Sequence, residues 1–239
     1  MSKIIVLDAG HGGKDAGAVK GKLYEKDIVL KVVKLIKSYL EKTYTGATVK
    51  LTRSSDVFLT LSERARRAND IKADVFVSVH VNAGGGTGFE TYKYPTAKGL
   101  LQKSVHAATQ KVLSKHNLRD RGKKSANLSV VRETSMEAVL TELAFIDTDS
   151  DRKLLENESF LQEMAEAHGD GIADYLNLKK KSTAKKKYIE YKIKKGDTLW
   201  SIANDPKHKT TVDAIYNANT GLKKKDVIYA GEKIKIPVK

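Results

Sequence analysis

His11 and His80 are the residues from which chemistry can be argued first. His11 stands in Asp8-Ala9-Gly10-His11-Gly12-Gly13, directly after the apolar run Lys3-Ile4-Ile5-Val6-Leu7. His80 stands near the end of Asp74-Val75-Phe76-Val77-Ser78-Val79-His80-Val81-Asn82, directly before Ala83-Gly84-Gly85-Gly86. Both runs read as buried strands, so each imidazole comes at a strand's carboxyl end, beside a glycine-rich turn. In an open α/β sheet the ligand crevice lies at that end. The glycines around His11 let the backbone take positive φ and approach a ligand closely. Glu25, in Leu23-Tyr24-Glu25-Lys26-Asp27 at the start of the first helix, can reach the same crevice. Two histidines, one carboxylate and an open fourth position make a hydrolytic zinc site. A second meaning of Glu25 stays open, because a carboxylate in a first helical turn also complements the helix dipole.

Glu142 is the other residue that calls for an explanation. It interrupts the apolar strand Val139-Leu140-Thr141-Glu142-Leu143-Ala144-Phe145, where an unpaired carboxylate is expensive. Beside a metal-activated water it can take a proton and return it to a leaving amine. The alternatives are a solvent-facing strand position or a pair with an arginine such as Arg132. The remaining histidines read without chemistry. His168 lies on the apolar stripe of a helix, His106 and His116 belong to a helix and its end, and His208 sits in a lysine-flanked loop. The chain has no cysteine, so a metal must be held by His, Asp or Glu.

These side chains need a scaffold that brings strand ends together. Ile28, Val32, Leu35, Ile36, Tyr39 and Leu40 recur at helical spacing. Val49–Thr52 reads as the second strand, and Thr60-Leu61-Ser62-Glu63 fits a capping box opening a helix through Ala68. Residues 74–82 and 88–94 read as strands, and 100–116 as a helix. Asn127–Val131 and Ala138–Phe145 read as two further strands, and 160–176 as a closing helix. Strands alternating with helices predict an α/β fold, a mostly parallel sheet flanked by helices on both faces. The first domain then spans 1–178. Residues 179–187, with six lysines and no apolar residue larger than alanine, read as a linker. Residues 188–239 follow as a small βααβ domain: a strand at 189–193, a helix at 199–203 capped by Asp197 or Thr198, a helix at 211–217 and a strand at 232–237.

Charge separates the two parts. The formal net charge is +15. Residues 1–178 carry 27 Lys and Arg against 23 Asp and Glu, whereas 179–239 carry 17 against 6. A polycationic C-terminal quarter suits nucleic acid, an anionic membrane surface or an anionic wall polymer, and equally suits a solvated linker. No basic-aromatic nucleic-acid module is recognisable, and no apolar run approaches the roughly 20 residues of a membrane helix. The segment after Met1 lacks the features of a signal peptide, which predicts synthesis in the cytoplasm.

Four stretches, taken together and in order, resemble a known family. They are Leu7–Asp15, Glu25-Lys26-Asp27, Val77–Ala83 and Leu140–Phe145, and they are similar to the signature stretches of zinc-dependent N-acetylmuramoyl-L-alanine amidases of the type-3 family. The resemblance covers about residues 3–177. It implies that His11, Glu25 and His80 bind Zn2+ and that Glu142 is the catalytic carboxylate. The reaction implied is hydrolysis of the amide between N-acetylmuramic acid and L-alanine. Asn82, at the end of the His80 strand, is placed with the substrate-binding residues. Two departures, Ala9 where proline is usual and Ala144 where glycine is common, touch no ligand.

Tyr191–Ala203, Asn217-Ala218-Asn219 and Ile228–Pro237 resemble a LysM module, which grips N-acetylglucosamine-containing chains. By that resemblance a groove lies between Gly196, Asp197, Thr198 and Leu199 on one side and the loop from Val227 to Gly231, with Ile228 and Tyr229, on the other. Trp200 is expected in the core, and 204–210 is longer than usual. The partners implied are peptidoglycan and anionic wall polymers. The chain is expected to be a monomer with no nucleic acid and no membrane insertion. A phage endolysin released to the wall by a holin fits these features. A bacterial mother-cell autolysin of the same activity and a non-enzymatic wall-binding protein are the alternatives.

Overall fold

Strand β1 (Lys3–Ala9), apolar from Ile4 to Leu7, lies inside a six-stranded sheet. The structure is a computed structural model that describes residues 2–181, 187–219, 221–222 and 228–238. After β1 come a two-residue hairpin, β2 (Val19–Lys20) and β3 (Leu23–Tyr24), and helix α1 (Glu25–Thr43). Then follow β4 (Tyr44–Thr45), β5 (Ala47–Leu51), α2 (Leu61–Asp70), β6 (Val75–Asn82), β7 (Phe89–Lys93), α3 (Leu100–Lys115) and β8 (Asp120–Ser125). The first unit ends with α4 (Ser129–Arg132), β9 (Glu137–Phe145), α5 (Asp149–Leu155), α6 (Glu158–Tyr175) and β10 (Lys179–Lys180).

The sheet order is β5-β1-β6-β9-β7-β8. Only the β9–β7 pair is antiparallel; the other pairs in this sheet are parallel. Strand side chains alternate between faces. Ile5, Leu7, Val77, Val79, Val139 and Leu143 face α1, α3 and α6 and form the larger core. Val6, Phe76, Ala138 and Leu140 point the other way, onto Ala68 of α2 and Val130 and Val131 of α4. Helices therefore cover both faces of a mostly parallel sheet. On the α2/α4 face, His80, Asn82 and Glu142 are only partly buried. The capping box of α2 forms as its sequence predicts: Thr60 accepts from the Glu63 amide and Glu63 accepts from the Thr60 amide.

One expected strand is absent. Residues 127–131 do not extend the sheet; Ser129–Arg132 is a helical turn whose Val130 and Val131 cap the smaller core. The sixth strand is β8, whose sequence Asp120-Arg121-Gly122-Lys123-Lys124-Ser125 has no apolar alternation. Among the described residues it is an edge strand paired with β7 alone, and edges tolerate and favour charge. Lys179 and Lys180 also depart from the linker reading. They pair with Tyr44 and Thr45 and belong to the first unit. The rest of that linker, 182–186, lies outside the described residues.

The chain divides into two units, Met1–Lys181 and Ser182–Lys239. In the second, β11 (Lys187–Lys192) and β12 (Lys233–Val238) pair antiparallel around α7 (Leu199–Ala203) and α8 (Val212–Ala218). Ile193, Leu199, Ile202, Ala203, Ile215, Ile234 and Ile236 form its core. Trp200 is not part of it. Trp200 is 69% exposed, because on a five-residue helix the neighbours Leu199 and Ile202 already occupy the buried face. Among the described residues, no helix is long and apolar enough to cross a membrane.

Candidate metal centre and catalytic carboxylate

The carboxyl end of β1 delivers His11 through a tight turn. Its φ is +58°, the left-handed region that a non-glycine residue seldom enters, so the surroundings must hold it there. Two buried arginines do so. Arg64 donates to the carbonyls of Ala9 and of His11 (2.6 Å), and to Asp8 (2.9 Å). Arg53 donates to the carbonyls of Ala9 (2.9 Å) and Gly10 (2.7 Å). Asp8 is fully buried and also accepts from Thr52 and Ser78, which ties β1 to its neighbours under the turn. A Cβ on Gly10 would lie 2.3 Å from the His80 ring, so glycine is needed there for His80 to sit against the turn.

His11, Glu25 and His80 converge. His11 Nε2 and His80 Nδ1 lie 3.1 and 3.0 Å from the same Glu25 Oε1. Tetrahedral zinc ligands at about 2.1 Å from the ion stand about 3.4 Å apart, so these donor atoms fit such an ion with little movement. Among the described residues this trio is the one cluster whose His, Asp or Glu ligand atoms all lie within 4.8 Å of one another. Glu25 is 3% exposed and accepts from the Val81 amide on Oε1 and the Ala18 amide on Oε2. Burial alone would raise its carboxyl; the hydrogen bonds from His11 and His80 outweigh that and hold it well below the ordinary range. It opens α1, so it does complement the helix dipole, but its hydrogen bonds are made to the site. Asp15 accepts from His11 Nδ1 at 2.9 Å. A carboxylate behind a ligating imidazole fixes the tautomer that leaves the other nitrogen free for metal.

Glu142 is aligned with this cluster by strand register. It lies opposite His80 in the β6–β9 pair and opposite Glu90 in the β9–β7 pair. Pairing shifts register between His80 and Asn82, an irregularity of the kind found next to active sites. Its Oε2 is buried with no hydrogen-bond partner among the described residues. Burial pushes its carboxyl up to about 7; His80 lowers it, and the charges of Glu25 and Glu90 raise it further. It does not pair with Arg132, which bonds Asn127, Ser129 and Glu133 instead.

The expected substrate-binding residues are scattered in role. Asn82 donates to Glu90 at 2.7 Å beside the site. Asp197 accepts from the Lys194 amide and the Tyr191 hydroxyl, and Thr198, rather than Asp197, caps α7. Leu199 is buried in the core of the second unit, so only its backbone is available to a ligand. Gly196 turns the chain at φ +93°. Ile228 is half-buried and Tyr229 is 65% exposed; Val227 lies outside the described residues. His168 is core, bonded to the Met164 carbonyl and Thr141. His208 is buried rather than free in its loop, bonded to the Ile202 carbonyl.

Asp15, Arg53, Arg64 and Glu90 were not legible as site residues. For Asp15 the only signal is its i+4 spacing from His11. Arg64 falls on the buried side of α2, where the alanines at 65 and 68 gave no reason to look for a charge.

Comparison with known proteins accords with this geometry. Residues 5–174 match the N-acetylmuramoyl-L-alanine amidase family model, and residues 191–237 match the LysM domain. The chain is 53% identical over 211 residues to an endolysin of Bacillus phage SPP1, covering 86% of this chain and 78% of that one. It is 42% identical over 183 residues to a sporulation-specific N-acetylmuramoyl-L-alanine amidase of Bacillus subtilis (strain 168), covering 75% and 71%. The solved catalytic domain of the amidase CwlV from Bacillus (Paenibacillus) polymyxa var. colistinus superposes with a TM-score of 0.70 at 38% identity, covering 74% of this chain and 99% of that one.

Proposed function

This chain belongs to the N-acetylmuramoyl-L-alanine amidase family, and we propose that His11, Glu25 and His80 hold its zinc while Glu142 carries the proton of the reaction. The enzyme is an N-acetylmuramoyl-L-alanine amidase with a LysM wall-binding module. The reading of the site rests above all on the convergence of His11 Nε2 and His80 Nδ1 on Glu25 Oε1. A zinc ion held by His11, Glu25 and His80 would supply Lewis acidity to the lactyl carbonyl and would lower the pKa of water from ~15.7 toward ~7. Asp15 holds His11 in the tautomer that presents Nε2. Glu142 takes a proton from the attacking water and passes it to the departing alanine nitrogen. A carboxyl raised to about 7 by burial can occupy both protonation states near neutrality, which general acid–base work requires.

The LysM unit and the basic C-terminal quarter hold the enzyme on peptidoglycan and on anionic wall polymers. They contribute local concentration, not chemistry. The 53% identity to a phage endolysin supports a lysis enzyme that reaches the wall from inside the cell; the 42% identity to a sporulation amidase supports a mother-cell role as the second reading. Mass spectrometry of digested peptidoglycan tests the activity. The expected products carry a new free alanine amine and no new reducing ends, and a chelator abolishes their release. New reducing ends, or full activity in metal-free protein, would overturn the assignment.

A further inference from the structure

Beyond Glu142, on the side away from the metal ligands, the sheet carries two cations gathered on one buried carboxylate. Glu90 is 2% exposed and lies directly opposite Glu142 in the β9–β7 register. Its Oε2 accepts from Arg121 Nε at 2.7 Å and from Lys124 Nζ, both on the edge strand β8. Its Oε1 accepts from Asn82 at 2.7 Å and Tyr92 at 3.0 Å. A second buried carboxylate beside Glu142 is costly as packing. As an orienting group it has a use, since it aims two long, otherwise loose cations at one place. Two positive charges thus meet the single negative charge of Glu90. Arg121 and Lys124 remain 25% and 36% exposed. The guanidinium lies 4.8 Å over the Phe145 ring. Among the described residues, Arg121 Nη2 has no acceptor and Nη1 only a long contact to the Thr87 carbonyl at 3.4 Å.

We propose that Arg121 and Lys124, oriented by Glu90, form a carboxylate-binding subsite for the peptide side of the substrate, selecting stem peptides whose second residue carries a free carboxylate over those in which it is amidated. The inference rests on the amidase reading above. The order across the sheet supports it: metal-ligating His80 on β6, proton-carrying Glu142 on β9, Glu90 on β7, cations on β8. Glu142 must face the departing alanine nitrogen to protonate it, so the leaving peptide extends from Glu142 toward β8. Strands are about 4.8 Å apart and successive residues about 3.8 Å. The heads of Arg121 and Lys124 reach back over Glu90 on β7, one strand spacing from Glu142, so a carboxylate on the residue after alanine comes within their reach. The Nη2 of Arg121, with the weakly held Nη1 beside it, suits a planar carboxylate, and an amide offers one acceptor without charge.

The test compares two soluble muramoyl-peptides that differ only in a free or amidated carboxylate on the second residue. Purified full-length, zinc-loaded enzyme is used, with kcat/KM from release of the alanine amine. The wild type is expected to favour the acidic peptide by about tenfold or more, as for a charge-assisted pair of hydrogen bonds. The ratio should shrink as salt rises and fall toward one in Lys124→Met and in the double variant Glu90→Gln/Arg121→Gln. Removing Glu90 with Arg121 avoids stranding a buried charge. If the double variant misfolds by circular dichroism, Lys124→Met and the wild-type ratio decide alone. Equal rates on both peptides in the wild type, or an unchanged ratio in Lys124→Met, would overturn the subsite and leave the amidase reading standing. Release of no amine from either peptide would instead mean that the amidase reading itself is wrong.

Discussion

At the scale of single residues, burial makes two titrating groups useful in different ways. Glu142 is raised to about 7 by an apolar strand and has one oxygen with no protein partner. Glu142→Gln keeps shape and removes the proton carrier. The variant should bind zinc stoichiometrically by elemental analysis, fold normally, and lose about 10²–10⁴ in turnover; turnover near the wild-type rate would remove Glu142 from the mechanism. His168 is the opposite case. It is fully buried, its Nδ1 donates to the Met164 carbonyl and its Nε2 accepts from the Thr141 hydroxyl. Burial pushes its pKa down to about 4. Its folded pKa is thus below the unfolded value of about 6.5, so the unfolded chain takes the proton first. The contribution is intact above pH 6.5 and is lost as pH falls toward 4, by about 3 kcal/mol at 1.36 kcal/mol per unit. Urea unfolding of the first unit at pH 7 and pH 4.5 should show this loss, and His168→Gln should flatten it.

At the scale of elements, the metal turn is held from below and pressed from one side. Arg53 and Arg64 bind three successive carbonyls, from Ala9 to His11, and so hold His11 in its left-handed conformation. Gly10 leaves space for the His80 ring, and Gly17, at φ +66°, does the same for His11 and Glu25. Gly10→Ala would put a Cβ 2.3 Å from His80 Cε1 and so displace a ligand without touching the sheet core. Far-ultraviolet circular dichroism should be unchanged, while zinc content and activity drop at least tenfold; wild-type zinc content would show that the turn has slack.

At the scale of the whole molecule, the chain has two units, each with its own apolar core. The residues proposed for the metal and the proton, His11, Glu25, His80 and Glu142, all lie in the first. Truncation after Lys181 should therefore leave cleavage of soluble muropeptides within about twofold of the full chain. Binding to purified walls in a sedimentation assay should fall at least tenfold, because truncation removes the LysM domain and about half of the excess positive charge. If soluble cleavage were lost as well, the units would not be independent.

What the sequence alone determined follows from local chemistry. The apolar strand just before His11, the one that carries His80 near its end, the Thr60–Glu63 cap and the apolar stripe of α1 are each written in neighbouring residues, and each forms as read. The order of four short motifs pointed to the amidase family, which the family match over residues 5–174 bears out, and to the residues proposed above as ligands and proton carrier. Tertiary structure decided the rest. Whether Glu25 served only the helix dipole depended on where β1 and β6 brought their histidines. That a charged stretch, 120–125, is the edge strand while Val130 and Val131 form a helical turn depended on which segment had apolar area to bury against the second face. Trp200 stays exposed because the small core of its unit was already filled. The arginines behind the metal turn and the Glu90 cluster act over long sequence separations through buried hydrogen bonds. Such pairings leave no periodic pattern, and only the register of the sheet brings them together.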